Sequence, residues 1–182
     1  MNSARARWIM GLAGGAVILA LLLWGLEVAL RQETSGGGAI PESGDGSRTI
    51  DLYFPDREGG LASEPREILG GETLEGDVRR AVEELIRGPA EEGVSPIPST
   101  TRLLDVFWDG DGELVLNFSD DLRTDHPGGS EAEIATVRCL VRTIAANFPA
   151  VERVRALVDG EPVATLAGHV DLSRSLDVED YR

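Results

Sequence analysis

The chain has 182 residues, a formal net charge of −15 and a single cysteine, and all 17 of its Lys and Arg positions are arginine. A lone cysteine excludes an internal disulfide and any metal site built from several cysteines. The acidic charge also argues against a nucleic-acid-binding protein, because the phosphates would be repelled.

An uncharged apolar run from Trp8 to Leu26 is the first feature along the chain. As a helix it would be about 28 Å long, which is close to the hydrocarbon thickness of a bilayer. Arg5 and Arg7 precede the run, and Arg31 follows it. Because the more positive flank of a membrane helix stays in the cytoplasm, we expect the C-terminal part to be exported.

The alternative is a cleaved secretory signal. The apolar part of such a signal is typically about 7–15 residues long, and a cut after Ala29 would put Glu27 at an unfavourable position. An uncleaved anchor in the inner (cytoplasmic) membrane is therefore favoured. The predicted regions are a cytoplasmic tail (1–7), a transmembrane helix (8–30), a flexible Gly/Ser/Pro linker (31–48), a periplasmic or extracellular domain (49–175) and a polar tail (176–182).

The first elements of the domain are predicted from residue alternation and from helix-capping residues. Thr49–Phe54 alternates as a half-buried strand, and Leu61–Leu69 reads as a second extended segment that Pro65 confines to an edge. A helix is expected to begin after Thr73, a favourable N-cap, and to end at Gly88–Pro89.

A hairpin and a second helix follow. Strands over 102–108 and 113–118 flank the turn Asp109–Gly112, whose residues tolerate positive φ. Ser130 and Glu133 have the spacing of a capping box at the start of the strongest helix. Its expected apolar stripe consists of Ile134, Val137, Val141, Ile144, Ala145 and Phe148.

A second hairpin, over 151–158 and 162–166, completes the order of elements after the helix stop at Pro149. Hairpin strands with separate helices predict an α+β domain, in which two helices pack on one face of a mostly antiparallel sheet.

Reactive side chains are few. Ser119 could form a hydrolase triad with His126 or His169 and an Asp, but no nucleophile-elbow motif surrounds this serine. The segment Asp109–Glu113 resembles the start of a calcium loop, although Leu114 stands where the loop needs glycine, so a hairpin turn is the preferred interpretation. Ser119–Asp121 with Asp125 could hold a divalent ion only weakly. We therefore predict no catalytic, cofactor-binding or metal-binding residues and no enzymatic activity.

The pattern of residues resembles the GerM (GerMN, sporulation and germination) domain family over about Thr49 to Ser173. The resemblance lies in the order and spacing of several short pieces: Tyr53–Pro55, Leu85 with Gly88–Pro89, Ile97–Pro98, Leu116–Ser119, Gly129–Ser130, Thr143, Phe148–Val151, Leu157–Gly160 and Leu166–His169. This chain differs from that pattern in having one copy of the domain and no lipoprotein cysteine.

The resemblance implies a small α/β domain of bacterial envelope proteins, linked in some members to sporulation and germination and without established catalytic residues. It implies a non-enzymatic role in protein–protein interaction or assembly, with an envelope protein or a second copy as partner. The alternative function is a peptidoglycan-binding accessory module of cell-wall remodelling, although aromatic residues make up only 5% of the chain.

Overall fold

The computed structural model describes residues 46–91 and 93–182. The predicted cytoplasmic tail (1–7), the transmembrane helix (8–30) and nearly all of the linker (31–48) lie outside the described residues. Within the described ranges, no helix is both long enough and apolar enough to span a bilayer.

The first sheet is an antiparallel pair of strands, β1 (Ser47–Pro55) and β2 (Leu61–Leu69). Both strands were predicted, and β1 begins two residues earlier than expected. Pro65 is accommodated in β2 because a two-stranded sheet consists of edge strands only. Three alternate side chains of β1 are buried, as expected: Ile50, Leu52 and Phe54.

Helix α1 (Leu74–Arg87) follows the first sheet. The Thr73 side chain accepts a hydrogen bond from the Gly76 N–H at 3.1 Å, which confirms the predicted N-cap. The helix ends at Gly88, whose φ of 90° is strained for other residues. One face of α1 is buried against the core: Val78, Ala81, Val82, Leu85 and Ile86.

The second sheet has five strands, with β3 at one edge and the order β3-β4-β5-β6, while β7 also pairs with β5. The strands are β3 (Leu103–Trp108), β4 (Glu113–Phe118), β5 (Arg153–Val158), β6 (Glu161–Pro162) and β7 (Leu176–Asp177). Between β4 and β5 lie α2 (Asp121–Thr124) and α3 (Ser130–Asn147). Because this connection is a helical crossover, β4 and β5 run parallel.

The mixed α+β fold is confirmed, but the expectation of one sheet is corrected to two. The reason lies at the edge of β1 that does not pair with β2. There the backbone groups of β1 form hydrogen bonds with side chains of α3. Asp51 exchanges two hydrogen bonds with the Asn147 amide, at 2.9 and 2.7 Å, and the Tyr53 N–H donates to Thr143 Oγ1 at 3.1 Å. An edge covered in this way has no need of a further strand.

The start of α3 differs from the predicted capping box. Gly129 occupies the N-cap position, no side chain caps the helix, and Ser130 is already its first residue. Glu133 is fully buried, and its carboxylate accepts the N–H groups of Leu166 and His169 at 2.7 and 2.8 Å. The glutamate therefore holds a distant loop instead of its own helix end.

The C-terminal residues, predicted to be an irregular polar tail (176–182), are part of the fold. Leu176–Asp177 forms β7 beside β5, and Val178–Tyr181 forms a 3₁₀-helix. Val178 is 1% exposed and its N–H donates to the Glu152 carbonyl at 2.9 Å. Val178, with Leu176 and Tyr181 packed beside the core, anchors this segment.

Candidate functional site

Ser119, which was weighed as a nucleophile and not predicted to be catalytic, is held by structural hydrogen bonds. It is 2% exposed, its Oγ donates to Asp121 Oδ2 at 2.7 Å, and the same oxygen accepts the Arg102 N–H at 3.0 Å. These bonds tie the end of β4 to the residue before β3 and to the start of α2.

His126 orders the loop that precedes α3. Its Nδ1 accepts the Gly128 N–H at 3.1 Å, so in the neutral ring Nε2 carries the hydrogen and donates to Thr136 Oγ1 at 3.0 Å. Burial lowers the pKa of His126, and the charge of Glu133 opposes this shift only in part. The neutral ring suits both contacts.

His169 lies on the loop held by Glu133. Its Nδ1 is 3.3 Å from Glu133 Oε2, and the histidine side chain is 46% exposed. Among the described residues, neither His126 nor His169 shares a hydrogen bond with Ser119. The geometry therefore gives no support to the hydrolase triad considered from the sequence.

The acidic hairpin between β3 and β4 is a turn, as preferred. Asp109 Oδ1 accepts the N–H groups of Asp111 and Glu113 at 2.7 and 2.9 Å. The Glu113 carboxylate is turned to other partners, the Ser175 hydroxyl and Arg155, whose Nε lies 3.4 Å away. In the described ranges no group of three or more His, Cys, Asp or Glu is arranged to hold a metal ion.

The weak divalent-ion site considered after β4 is also occupied by contacts with other protein groups. Asp121 accepts the Ser119 hydroxyl, Asp125 Oδ2 accepts the Thr100 hydroxyl at 2.7 Å, and Asp120 lies 3.5 Å from Arg123. Each of the three carboxylates thus has its own partner.

A cavity of about 620 Å³, here called the arginine groove, opens beside α3. It lies between the first sheet, α3, the loop that Glu133 holds and the C-terminal 3₁₀-helix. Its lining residues are Tyr53, Leu61, Ile134, Val137, Arg138, Arg142, Val170, Asp180, Tyr181 and Arg182. A volume of this size is in the range of small-ligand sites, about 300–1,000 Å³.

Arg142 is the best-positioned side chain of the arginine groove. Its guanidinium carbon lies 4.9 Å from the centroid of the Tyr53 ring, and its Nη1 donates to the Tyr181 carbonyl at 3.4 Å. Stacking on an aromatic ring limits the motion of a guanidinium without removing its charge. Burial raises the pKa of Tyr181, helped by Asp180, so its phenol stays uncharged.

Ile134 and Arg138 complete this wall of α3. Ile134 was expected in the buried stripe, but it is 43% exposed and lines the groove. The other five residues of the expected stripe are buried, and further residues of α3 are buried beside them, namely Glu133, Thr136, Cys139, Leu140 and Thr143. The 3.6-residue period cannot reveal which part of a broad apolar face borders a cavity.

Most arginines of the described ranges lie within 4.0 Å of a carboxylate. Arg138 and Arg142 are not among these pairs, although the domain has a large acidic excess. Their charges face the same cavity. The arginine groove is thus a local basic site on an acidic domain.

A second, wider cleft of about 1050 Å³ lies between the β1–β2 turn and the loop after α1. Two of its charged side chains, Glu64 and Arg66, are engaged in structural contacts. Glu64 pairs with Arg66, and its carboxylate also accepts the Ala90 N–H at 3.1 Å. Arg66 pairs in turn with Glu84 at 2.8 Å, so these two central charges of the cleft are neutralised within the protein.

A family model described as "Germane: Sporulation and spore germination" matches residues 51–164. The chain belongs to the Germane family. The match confirms the GerM-type resemblance and spans the segment from β1 to the loop after β6. No curated protein matches the chain.

Solved structures share the Germane fold. A candidate lipoprotein from Clostridium perfringens is 26% identical, with 75% of this chain and 90% of that one covered and a TM-score of 0.53. The first GerMN domain of the sporulation protein GerM from Bacillus subtilis is 19% identical, covers 73% of this chain and 99% of that one, and has a TM-score of 0.60. The tandem GerMN domains of the same protein give 18% identity, coverage of 74% and 48%, and a TM-score of 0.61.

The arginine groove extends beyond the matched segment of the Germane domain. Tyr53, Arg138 and Arg142 lie inside residues 51–164, whereas Asp180 and Tyr181 lie after it. The groove is thus completed by C-terminal residues of this chain that the sequence interpretation had assigned to a tail.

Proposed function

We propose that this Germane protein is a non-enzymatic module of the bacterial envelope that acts by protein–protein interaction or assembly. The observation that carries this proposal is the exposed edge of the second sheet. β3 is an edge strand, and the aromatic side chain of its Phe107 is 61% exposed. Family membership and the structural engagement of Ser119 and His126 support the same role.

In the part of the chain that the structure describes, Arg79 of α1 covers the beginning of the β3 edge. Arg79 donates to the carbonyls of Leu103 and Leu104 at 2.9 and 3.2 Å. The later residues of the strand extend to Phe107 and Trp108 without such a contact from Arg79. An edge with an exposed aromatic residue can pair with a strand of a partner or of a second copy.

The anchor predicted over residues 8–30 would hold this module at the outer face of the cytoplasmic membrane. The candidate lipoprotein among the structural relatives supports an envelope location. The test is protease treatment of intact spheroplasts. Digestion of the C-terminal domain is expected, and protection until the membrane is permeabilised would contradict the proposed topology.

The interaction itself is tested by crosslinking the full chain in membranes, with Phe107→Glu as the variant. We expect the crosslinked partner or self-assembled species to be lost, because a buried carboxylate at the edge would be desolvated without a partner. Leu69→Glu is the matched control, since Leu69 is 70% exposed at the end of the other sheet. Only monomer in the parent protein, or equal species in both variants, would count against the proposal.

A second candidate function is peptidoglycan binding, which the two tyrosines of the arginine groove favour. Tyr53 and Tyr181 could contact a wall glycan or stem peptide. The test is retention on purified peptidoglycan, and retention no greater than that of an equally acidic control protein would rule this candidate out.

A further inference from the structure

We propose that the arginine groove binds the end of a peptide chain, with a free carboxylate beside an apolar terminal side chain. The inference rests on the proposed function, because it specifies which part of a protein partner the module would hold. It concerns a different surface from the β3 edge, so the two can be tested separately.

The carboxylate is specified by Arg138 and Arg142. They are four residues apart on α3, so their Cβ atoms are about 5–6 Å apart on one helix face, and both guanidiniums can reach a single anion. Arg142 is held against Tyr53, with 4.9 Å between the guanidinium carbon and the ring centroid. Neither arginine has a carboxylate partner within 4.0 Å among the described residues, so their charge is available.

The remaining walls of the arginine groove are apolar and would contact the terminal side chain of the peptide. Ile134 is 43% exposed in the groove, and Leu61 and Val170 line it from the first sheet and from the loop held by Glu133. These side chains offer a surface for an aliphatic or aromatic residue next to the anion.

Charge and size favour one carboxylate over a multiply charged ligand or a whole protein surface. Asp180 lines the same groove, and the domain as a whole is acidic, so a dianion such as a phosphate ester would meet repulsion. A cavity of about 620 Å³ holds a few residues of a chain but not a folded surface.

The test measures fluorescence polarisation of labelled tripeptides with the full chain in detergent. The peptides end in leucine, either as the free acid or as the C-terminal amide. Because a charge-assisted hydrogen bond to the free acid is lost in the amide, we expect about tenfold tighter binding of the acid. Equal binding of both peptides, or binding of neither, would overturn the proposal.

Arg138→Gln is the main variant, because Arg138 has no hydrogen bond or ion pair in the described ranges and its loss should leave the fold intact. It is expected to weaken binding of the free acid by about fivefold or more. Arg57→Gln is the matched control, with the same change of charge on the turn between β1 and β2. Equal weakening by both variants would show a general charge effect and refute the site.

A peptide that ends in D-alanine separates a protein chain end from a cell-wall stem peptide. Tighter binding of the peptide that ends in L-leucine supports the proposal. Tighter binding of the peptide that ends in D-alanine would assign the groove to a cell-wall stem peptide instead. If no peptide binds but Phe107→Glu abolishes crosslinking, the proposed function stands and this inference fails. If peptides bind but no protein partner is found, the interaction role at the β3 edge is the part that fails.

Discussion

Glu133 is predicted to be among the most important polar side chains for stability. It is 0% exposed, and its carboxylate accepts the N–H groups of Leu166 and His169 at 2.7 and 2.8 Å. Burial alone would raise the pKa of Glu133, but the N–H groups of Leu166, Ala167, His169 and Val170 outweigh it and lower the pKa. The ionised glutamate therefore joins α3 to a loop more than thirty residues away.

Glu133→Gln tests this arrangement. Glutamine has one acceptor oxygen and one NH₂ group, so one loop N–H would face a donor and the other would lose its charge assistance. Since a hydrogen bond to a charged group contributes about 1.5–3 kcal/mol, we expect a loss of about 3 kcal/mol in the free energy of unfolding. This corresponds to a fall of roughly 10 °C in Tm for a domain of this size.

The assay is thermal unfolding of the full chain in detergent, followed by circular dichroism at neutral pH. Glu131→Gln is the control, because Glu131 is an exposed acidic residue in the same first turn. A capping box accepts Gln as well as Glu at its third helical position. If Glu133 belonged to a capping box, Glu133→Gln would therefore leave the free energy of unfolding almost unchanged. A loss below about 1 kcal/mol would refute the conclusion that the buried Glu133 carboxylate stabilises the fold by holding this loop.

Three further predictions concern α3 and its surroundings. Asn147→Ala should lower the free energy of unfolding by about 1–3 kcal/mol in urea titrations, because it leaves the Asp51 N–H and carbonyl unpaired; an unchanged midpoint would contradict the role given to the β1 edge. Cys139 should resist iodoacetamide until the protein unfolds, since it is 0% exposed and burial raises the pKa of its thiol to about 12; labelling at the same rate with and without denaturant would disprove this. Stability should fall in two steps on acidification. The first begins below His126's ordinary pKa of 6.5, because its lowered pKa means that the unfolded chain binds the proton more readily. The second begins below 4.5, where the unfolded chain binds a proton at Glu133 more readily than the folded protein does, and Glu133→Gln should make this second step smaller in unfolding measured across pH; a second step of unchanged size would contradict the prediction.

The order of elements could be predicted because its signals are local. Thr73 caps α1 through a hydrogen bond to a residue three positions away, and Asp109 closes its hairpin through the next four residues. Period and capping rules describe such short-range contacts well. The same is true of the alternation of β1, which matched the burial of Ile50, Leu52 and Phe54.

Contacts between distant segments escaped prediction. Ser130 and Glu133 have the spacing of a capping box, yet Glu133 binds the loop after β6, since that loop brings several N–H groups to a site shielded from water. The division into two sheets depended on Thr143 and Asn147 reaching the edge of β1, about 90 residues earlier in the chain. No local pattern records which polar side chain of a helix will meet a strand.

The sequence by itself determined the kind of module: an acidic, single-cysteine α+β domain of GerM type, with an apolar N-terminal run and few side chains suited to catalysis. Composition and periodicity decide the charge, the fold class and the shortage of reactive side chains because they are summed along the chain, and the GerM type follows from the resemblance of several short motifs to that family. Only the tertiary structure decided where charge remains unpaired. Arg138 and Arg142 read as ordinary helix-surface arginines until β1 and the C-terminal 3₁₀-helix fold against α3 and enclose them in one groove.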